Sequence, residues 1–202
     1  MISDQPTPKD HILDCGERLV ATKGFVGVGL AEILAAAAVP KGSFYHYFSS
    51  KERFGEELLA RHLQRYLHRL DLLLKADGTT ARQRLMRYWS YWNTTQCGIG
   101  EDGCAATGAV TKCLIVKLSA EVSDISDVMR HTLRDGTDRV LQRIAQCIEE
   151  GRAEGSLPVT LHANDTALTL YELWLGASLL AMLRRDSSAF EHATHSTELL
   201  LR

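Results

Sequence analysis

Side chains that can bind a phosphate backbone are concentrated between residues 40 and 51. Tyr45, His46 and Tyr47 supply hydrogen-bond donors and flat rings for sugar-phosphate contacts, and Gly42 lets the backbone come close to a phosphate. The segment contains two lysines and no acidic residue before Glu52, so its local field is positive. The full candidate set is Lys41, Gly42, Ser43, Tyr45, His46, Tyr47 and Lys51. These residue types predict contact with a nucleic-acid backbone.

A second chemistry is that of a reactive thiol at Cys113. This cysteine follows a glycine-rich segment and is close in sequence to Lys112 and Lys117, and a nearby cation lowers the pKa of a thiol. Soft electrophiles would add to the thiolate, and oxidants would convert it to a sulfenic acid or to a disulfide that Cys97 or Cys104 completes. From the spacing alone, the alternative that Cys113 is a small buried hydrophobic residue stays open.

The other two cysteines are interpreted as core residues. Cys15 is near the apolar face of the first predicted helix, and Cys147 is next to Ile144 and Ile148. The five cysteines form no CxxC pair, which predicts free thiols in a reducing compartment.

The elements that must position these residues are helices throughout. Apolar residues repeat with helical spacing, and no segment alternates in the way a strand requires, so the fold class is predicted to be all-α. The predicted helices cover about 8–23, 30–37, 41–47, 50–75, 80–96, 124–151, 162–185 and 189–201, with a further helical piece from 114. Ser49 and Glu52 have the spacing of a capping box for the fourth helix. Two short helices behind a bracing helix form the layout of a DNA-binding helix-turn-helix.

The charge balance limits how such a protein would bind nucleic acid. The chain has 202 residues, 23 Lys plus Arg against 25 Asp plus Glu, and a formal net charge of -2. Residues 1–53 hold six basic and six acidic residues, so there is no broad basic surface. We therefore expect weak binding to non-specific DNA and dependence on the short motif.

The sequence also predicts a cellular compartment. No basic stretch followed by an apolar run opens the chain, and polar residues interrupt its most apolar region, residues 167–183. Neither a secretory signal nor a membrane span is expected, and the protein is predicted to be cytoplasmic.

The residues around the predicted helix-turn-helix resemble a known signature. Gly24 and Phe25, the apolar positions of the second helix, residues 39–48 (VPKGSFYHYF) and residues 50–52 resemble the N-terminal motif of the tetracycline-repressor (TetR/AcrR) family. The resemblance implies a DNA-binding domain over residues 1–48 and an effector-sensing and dimerisation domain over residues 49–202. It also implies a homodimer on a pseudo-palindromic double-stranded operator, with the candidate set above making the DNA contacts. The apolar helix over 162–185, with part of 124–151, is expected to pair with its symmetry mate.

The resemblance extends to one subgroup of that family. Residues 54–55, 113–122 (CLIVKLSAEV) and 173–177 (LWLGA) are similar to the N-ethylmaleimide-reductase repressors and their acrylate-responsive relatives. The resemblance implies that Cys113 reacts with electrophiles or oxidants and that Cys97 has a counterpart there. Near relatives have a lysine where this chain has Met182, and its loss would blunt thiol reactivity or change the effector.

These observations predict a repressor that a small-molecule electrophile or oxidant releases from DNA. The alternative within the class is a non-covalent hydrophobic inducer, in a pocket lined by Trp89, Trp92, Trp174 and Met182. A thiol-dependent enzyme is disfavoured because no base or metal set accompanies a cysteine, and an architectural DNA-binding protein is disfavoured by the charge balance. No cofactor or metal is expected, since His192 and His195 have no third ligand nearby.

Overall fold

The computed structural model describes residues 7–97 and 114–202, without the side chains of residues 96 and 97. Over these residues the chain forms nine helices and no strand, which confirms the prediction of an all-α fold. The helices are α1 (Pro8–Lys23), α2 (Leu30–Ala36), α3 (Lys41–Tyr47), α4 (Lys51–Leu73), α5 (Ala81–Cys97), α6 (Leu114–Ser123), α7 (Asp127–Glu154), α8 (Ala163–Arg184) and α9 (Ser188–Leu200). We call α1–α3 the head and α4–α9 the body.

Local signals in the sequence set the bounds of the head helices. Thr7 accepts a hydrogen bond from the Asp10 backbone N–H, while the Asp10 carboxylate accepts one from the Thr7 backbone, so a capping box starts α1. Gly24, with φ of 81°, ends it. Pro40 stands directly before α3 as its N-cap. Ile12, Val20, Ile33 and Phe44 are fully buried and form the centre of the head.

Helix α4 is the first helix of the body and follows the head directly in the chain. Its N-cap is Ser50, whose hydroxyl accepts a hydrogen bond from the Arg53 backbone N–H at 3.1 Å. The prediction that Ser49 is the N-cap, in a capping box with Glu52, is therefore wrong: the N-cap is the next residue. The Glu52 carboxylate instead accepts a 2.5 Å hydrogen bond from the hydroxyl of Ser126, the N-cap of α7, and no local pattern could have indicated that contact.

The body is built on α7, which packs against α4, α5, α6 and α8, while α8 packs against α9. Among the described helices, α8 is long and apolar enough to cross a membrane by length and mean hydropathy. The sequence prediction required an unbroken apolar run and placed this segment below that limit. One face of α8, which includes Leu170, Tyr171 and Trp174, is buried against the body, whereas Leu179 and Leu183 are exposed. Helix α8 therefore presents an apolar outer face.

Candidate nucleic-acid interface

Two phenylalanines fix the orientation of α3. Phe44 and Phe48 are buried and contact the Phe54 ring of α4, with ring centroids 5.5 and 5.1 Å away. Edge and tilted ring contacts of this kind favour one side-chain arrangement. Because the anchors occupy one face, the opposite face of α3 is turned to solvent.

The candidate DNA-contact residues lie mainly on that solvent face. Lys41, Gly42, Tyr45 and His46 are exposed, whereas Ser43 and Tyr47 are half-buried. The Lys41 ammonium lies 5.8 Å from the centre of the Tyr45 ring, so the two side chains share one patch. A Cβ added to Gly42 would meet nothing within 4 Å, so the backbone there is open to an approaching group. The structure thus brings four of the predicted residues together on one exposed surface.

Lys51 has a different environment. Its ammonium donates a 2.8 Å hydrogen bond to the carbonyl of Phe25 and lies 4.6 Å from the centre of that ring. Partial burial lowers the pKa of Lys51, against the opposing effect of the Glu121 carboxylate. The sequence predicted that the Lys51 ammonium binds a DNA phosphate. In the structure at least one of its N–H groups instead donates to a carbonyl within the protein. The contact spans 26 residues, and nothing in the local sequence indicates it.

The acidic residues of α1 face the body rather than α3. Asp14 lies 2.5 Å from the Arg61 guanidinium, and Glu17 pairs with both His62 and Arg65 of α4. Lys9 and Glu57 add a further ion pair between the same two helices. The head is neutral as a whole, but part of its negative charge is neutralised at the α1–α4 contact. This separation keeps the Asp14 and Glu17 carboxylates on the α4 side of α1, away from the exposed face of α3.

The turn between α2 and α3 holds an unusual backbone conformation. Ala38 has a φ of 51°, in the left-handed region that residues with a Cβ rarely adopt. The Val39 backbone N–H, one residue on, donates a 3.1 Å hydrogen bond to the Leu34 carbonyl. The tight turn sets the angle between the two helices.

Two residues of α6 contact the head, and the sequence did not predict their role. Glu121 accepts hydrogen bonds from the backbone N–H groups of Phe25 and Val26, and Lys117 donates to the carbonyls of Ala21 and Thr22. Lys117 and Glu121 are four residues apart, a spacing usually interpreted as an ion pair within one helix. The sequence signals were that spacing and the nearness of Lys117 to Cys113, and neither indicates a contact with the head.

The two cysteines whose side chains the structure describes, Cys15 and Cys147, are buried. The Cys15 thiol lies 3.4 Å from the Ala36 carbonyl and accepts a 3.1 Å hydrogen bond from the Arg18 guanidinium. Cys147 lies below an open groove of about 250 Å³ between α4 and α7, and burial raises the pKa of its thiol to about 11. Cys113, Cys104 and the side chain of Cys97, which form the predicted sensing set, lie outside the described residues.

The three tryptophans of the predicted pocket lie in one cluster of rings. The Trp89 and Trp174 rings stack with centroids 5.2 Å apart and an interplanar angle of 11°, and both residues are fully buried. The indole N–H of Trp92 donates to Ser178, at 3.0 Å. Met182 is only partly buried at the edge of this core. This packing favours the interpretation of the three tryptophans as core residues.

Two family models match the chain. Residues 12–58 match the model described as "Bacterial regulatory proteins, tetR family". Residues 101–197 match the model described as "Tetracyclin repressor-like, C-terminal domain". The first match contains the whole predicted helix-turn-helix, and the second covers most of the body.

Individual relatives extend over nearly the whole chain. The transcriptional repressor NemR of Escherichia coli K12 is 40% identical over 185 residues, which are 92% of this chain and 89% of that protein. The transcriptional regulator AcuR of Cereibacter sphaeroides is 32% identical over 180 residues, 89% of this chain and 78% of that one. The crystal structure of the reduced form of E. coli NemR superposes with a TM-score of 0.86 at 39% identity, covering 96% of this chain and 97% of that chain.

Proposed function

The chain belongs to the TetR family of DNA-binding transcriptional repressors, and on that premise we propose that it binds a pseudo-palindromic operator as a homodimer. The observation that carries this proposal is the exposed face of α3, which is held outward by the buried anchors Phe44 and Phe48. Two such helices in a symmetric dimer would lie about 34–36 Å apart and enter successive major grooves. Lys41, Gly42, Ser43, Tyr45, His46 and Tyr47 would contact the sugar-phosphate backbone and the groove, with Lys51 beside them.

The apolar outer surface of α8 and α9 supports the dimer. Six leucines with exposed side chains lie on these two helices: Leu168, Leu179, Leu180, Leu183, Leu199 and Leu200. A monomer would leave this surface in water, and a symmetric contact would remove it. We therefore assign the dimer interface to α8 and α9, rather than to α8 and α7 as the sequence pattern suggested.

We further propose that covalent modification of a cysteine releases the operator, with Cys113 as the reacting residue and Cys97 or Cys104 as the resolving thiol. Three observations support it. Residues 113–122 resemble the thiol-sensing subgroup, the E. coli relative has a structure described as its reduced form, and Cys15 and Cys147 are each only 2% exposed. Cys113 directly precedes Leu114, where α6 begins, so a change there would act on a helix that contacts the head.

The proposed reaction with a maleimide is a conjugate addition. The Cys113 thiolate forms a carbon–sulfur bond at the electron-poor double bond, the π electrons move to the carbonyl as an enolate, and the enolate takes a proton from water. No group leaves and no further reactant is needed. The adduct would favour a conformation that does not bind the operator, and a coupling of about 1–3 kcal/mol is typical of such shifts.

A non-covalent hydrophobic inducer is the second candidate, and one observation favours it. The indole nitrogen of Trp89 is buried and has no hydrogen-bond partner among the described residues. A ligand with a carbonyl or similar acceptor would satisfy that donor in a conformation that opens the tryptophan core, because Trp89 is fully buried in the present one. The similarity to bacterial transcription regulators supports a cytoplasmic location under either mechanism.

Retardation of the upstream promoter fragment tests both parts of the proposal. Wild type and Cys113→Ser are compared with and without N-ethylmaleimide. We expect N-ethylmaleimide to release the wild-type protein from the promoter fragment and to leave Cys113→Ser bound to it. Absence of retardation under every condition contradicts the operator proposal, and equal release of both proteins contradicts the role of Cys113.

A further inference from the structure

We propose that Lys117 and Glu121 of α6 act as positioning residues that latch the head to the body and thereby set the operator affinity. The inference rests on the proposed function, because it concerns the geometry of the same DNA-binding surface. The latch is the set of four hydrogen bonds from these two side chains to the end of α1 and the turn after it.

Glu121 holds the turn through its carboxylate. One oxygen accepts from the Phe25 backbone N–H at 3.0 Å, and the other accepts from the Val26 backbone N–H at 2.5 Å. Hydrogen bonds to an ionised group are stronger than neutral ones. The carboxylate also lies against Gly24, where an added Cβ would be 2.8 Å from a Glu121 oxygen and where φ is 81°. Only glycine allows both this backbone conformation and this approach.

Lys117 holds the end of α1. Its ammonium donates 2.6 Å hydrogen bonds to the carbonyls of Ala21 and Thr22, which lie in the last turn of that helix. Carbonyls in the last turn of a helix have no partner within the helix, and a cation there interacts favourably with the helix dipole. The cationic latch residue therefore binds backbone carbonyls, and the anionic one binds backbone N–H groups.

Phe25 connects the latch to the rest of the body. Its carbonyl accepts from Lys51 of α4, and a Cβ added to Gly55 would lie 2.5 Å from its ring. A Cβ at Gly55 would also lie 2.8 Å from the terminal methyl of Met129 of α7. The turn after α1 is thus held from α4 and α6, and Met129 of α7 packs beside the same glycine of α4.

This arrangement adds a separate attachment to those that the head already has. The chain joins head to body between α3 and α4, ion pairs join α1 to α4, and the latch adds contacts to α6 that are 95–96 residues away in sequence. Attachment to α6 as well as to α4 restricts rotation of the head, and a palindromic operator requires two heads at one spacing. A head that is already oriented loses less conformational entropy on binding, so the latch raises operator affinity. It does not alter the residues that face the DNA.

The latch is also well placed to respond to a modification of Cys113. Glu121 lies seven residues after Leu114, where α6 begins, or about 10 Å along the helix axis. A displacement of the first turn of α6 therefore moves both latch side chains relative to the carbonyls and N–H groups that they bind.

Equilibrium binding by wild type, Glu121→Gln and Glu121→Ala tests this proposal. Fluorescence anisotropy is measured on the operator duplex and on a duplex of scrambled sequence. Asp124→Asn is the matched control, because it removes the same charge from an exposed position three residues away. Hydrogen exchange of the peptide that covers residues 21–28 reports the latch directly, and circular dichroism reports folding.

We expect Glu121→Ala to weaken operator binding at least about fivefold, with a smaller loss in Glu121→Gln and none in Asp124→Asn. Binding to the scrambled duplex should stay within about twofold, and exchange over residues 21–28 should rise. Operator affinity equal to wild type, or equal weakening on both duplexes, overturns the latch. If Glu121→Ala fails to fold, the isosteric Glu121→Gln decides the result alone. A wild type that binds no operator contradicts the proposed function instead.

Discussion

Glu17 of α1 and His62 of α4 are joined by a hydrogen bond of 2.9 Å between a carboxylate oxygen and Nδ1. Both side chains are only 14% exposed, and Arg65 binds the other carboxylate oxygen. Burial alone would raise the pKa of Glu17, but the hydrogen bonds from His62 and Arg65 outweigh it and lower the pKa to about 2. The contact stabilises the seating of the head on the body.

Replacing Glu17 by Gln should reduce stability in a pH-dependent way. The folded-state pKa lies below the ordinary value of 4.5, so the ionised carboxylate stabilises the fold above that pH and loses its effect as the pH falls toward about 2. We expect Glu17→Gln to lower the free energy of unfolding by about 1–3 kcal/mol near neutral pH. Urea unfolding at neutral and at acidic pH measures the difference.

The control for this prediction is Glu149→Gln, at an exposed position on α7. Its unfolding free energy should change by less than about 0.5 kcal/mol, as is usual at the surface. A Glu17→Gln deficit that stays constant from neutral pH down to about pH 2 would show that the carboxylate charge is not what stabilises this contact.

Replacing Ala38 by Gly should stabilise the head. The left-handed conformation costs a residue with a Cβ about 1–2 kcal/mol, and the extra freedom of glycine in the unfolded chain offsets part of that gain. We expect Ala38→Gly to raise the free energy of unfolding by about 0.5–1 kcal/mol. Ala35→Gly, at an exposed position inside α2, should lower it by about 1 kcal/mol. Destabilisation by Ala38→Gly would contradict the strain at this turn.

The buried thiols should resist modification in the folded protein. Burial raises the pKa of Cys147 to about 11 from an ordinary value of 9.0, so almost no thiolate forms at neutral pH. The same shift makes stability fall as the pH rises from about 9 toward 11, where the unfolded thiol ionises first. Peptide mass spectrometry after N-ethylmaleimide treatment should find Cys15 and Cys147 unmodified in folded protein and modified in denaturant. Rapid labelling of Cys147 in the folded protein would refute this assignment.

A charge on the outer face of α8 should separate the dimer. Leu183 is 80% exposed within one chain, so Leu183→Glu should leave the fold intact. In the assembly it would place a carboxylate in an apolar contact, at a cost of several kcal/mol. The molecular mass measured by sedimentation should fall from about twice the chain mass of 22.4 kDa to that of a single chain. Val159→Glu, 70% exposed but outside α8 and α9, is the control. An unchanged mass for Leu183→Glu would place the interface elsewhere.

Local signals predicted the head helices well. The bounds of α1 and α3 agree with the predictions, because a proline begins each helix or caps it and because Gly24 ends α1. The outward face of α3 also followed from sequence, since Phe44 and Phe48 are one helical turn apart and anchor the opposite side.

Contacts between distant parts of the chain were not predictable in the same way. Glu52 has capping-box spacing but binds Ser126, and Lys51 has the position of a phosphate ligand but binds the Phe25 carbonyl. Each of these depends on which helices meet in space. The periodicity of a single helix carries no information on its partner's polar groups.

Titration of the operator with α3 variants over a range of salt concentrations tests the central claim most directly. Lys41→Ala and Tyr45→Ala alter the exposed face, while Lys75→Ala removes an equal charge at an exposed position after α4. We predict that each α3 variant binds about tenfold more weakly, or weaker still, at unchanged thermal stability. Lys41→Ala should also reduce the slope of log affinity against log salt by about 1 for each phosphate that the variant no longer neutralises. Affinity and slope equal to those of wild type and Lys75→Ala would contradict DNA recognition through α3.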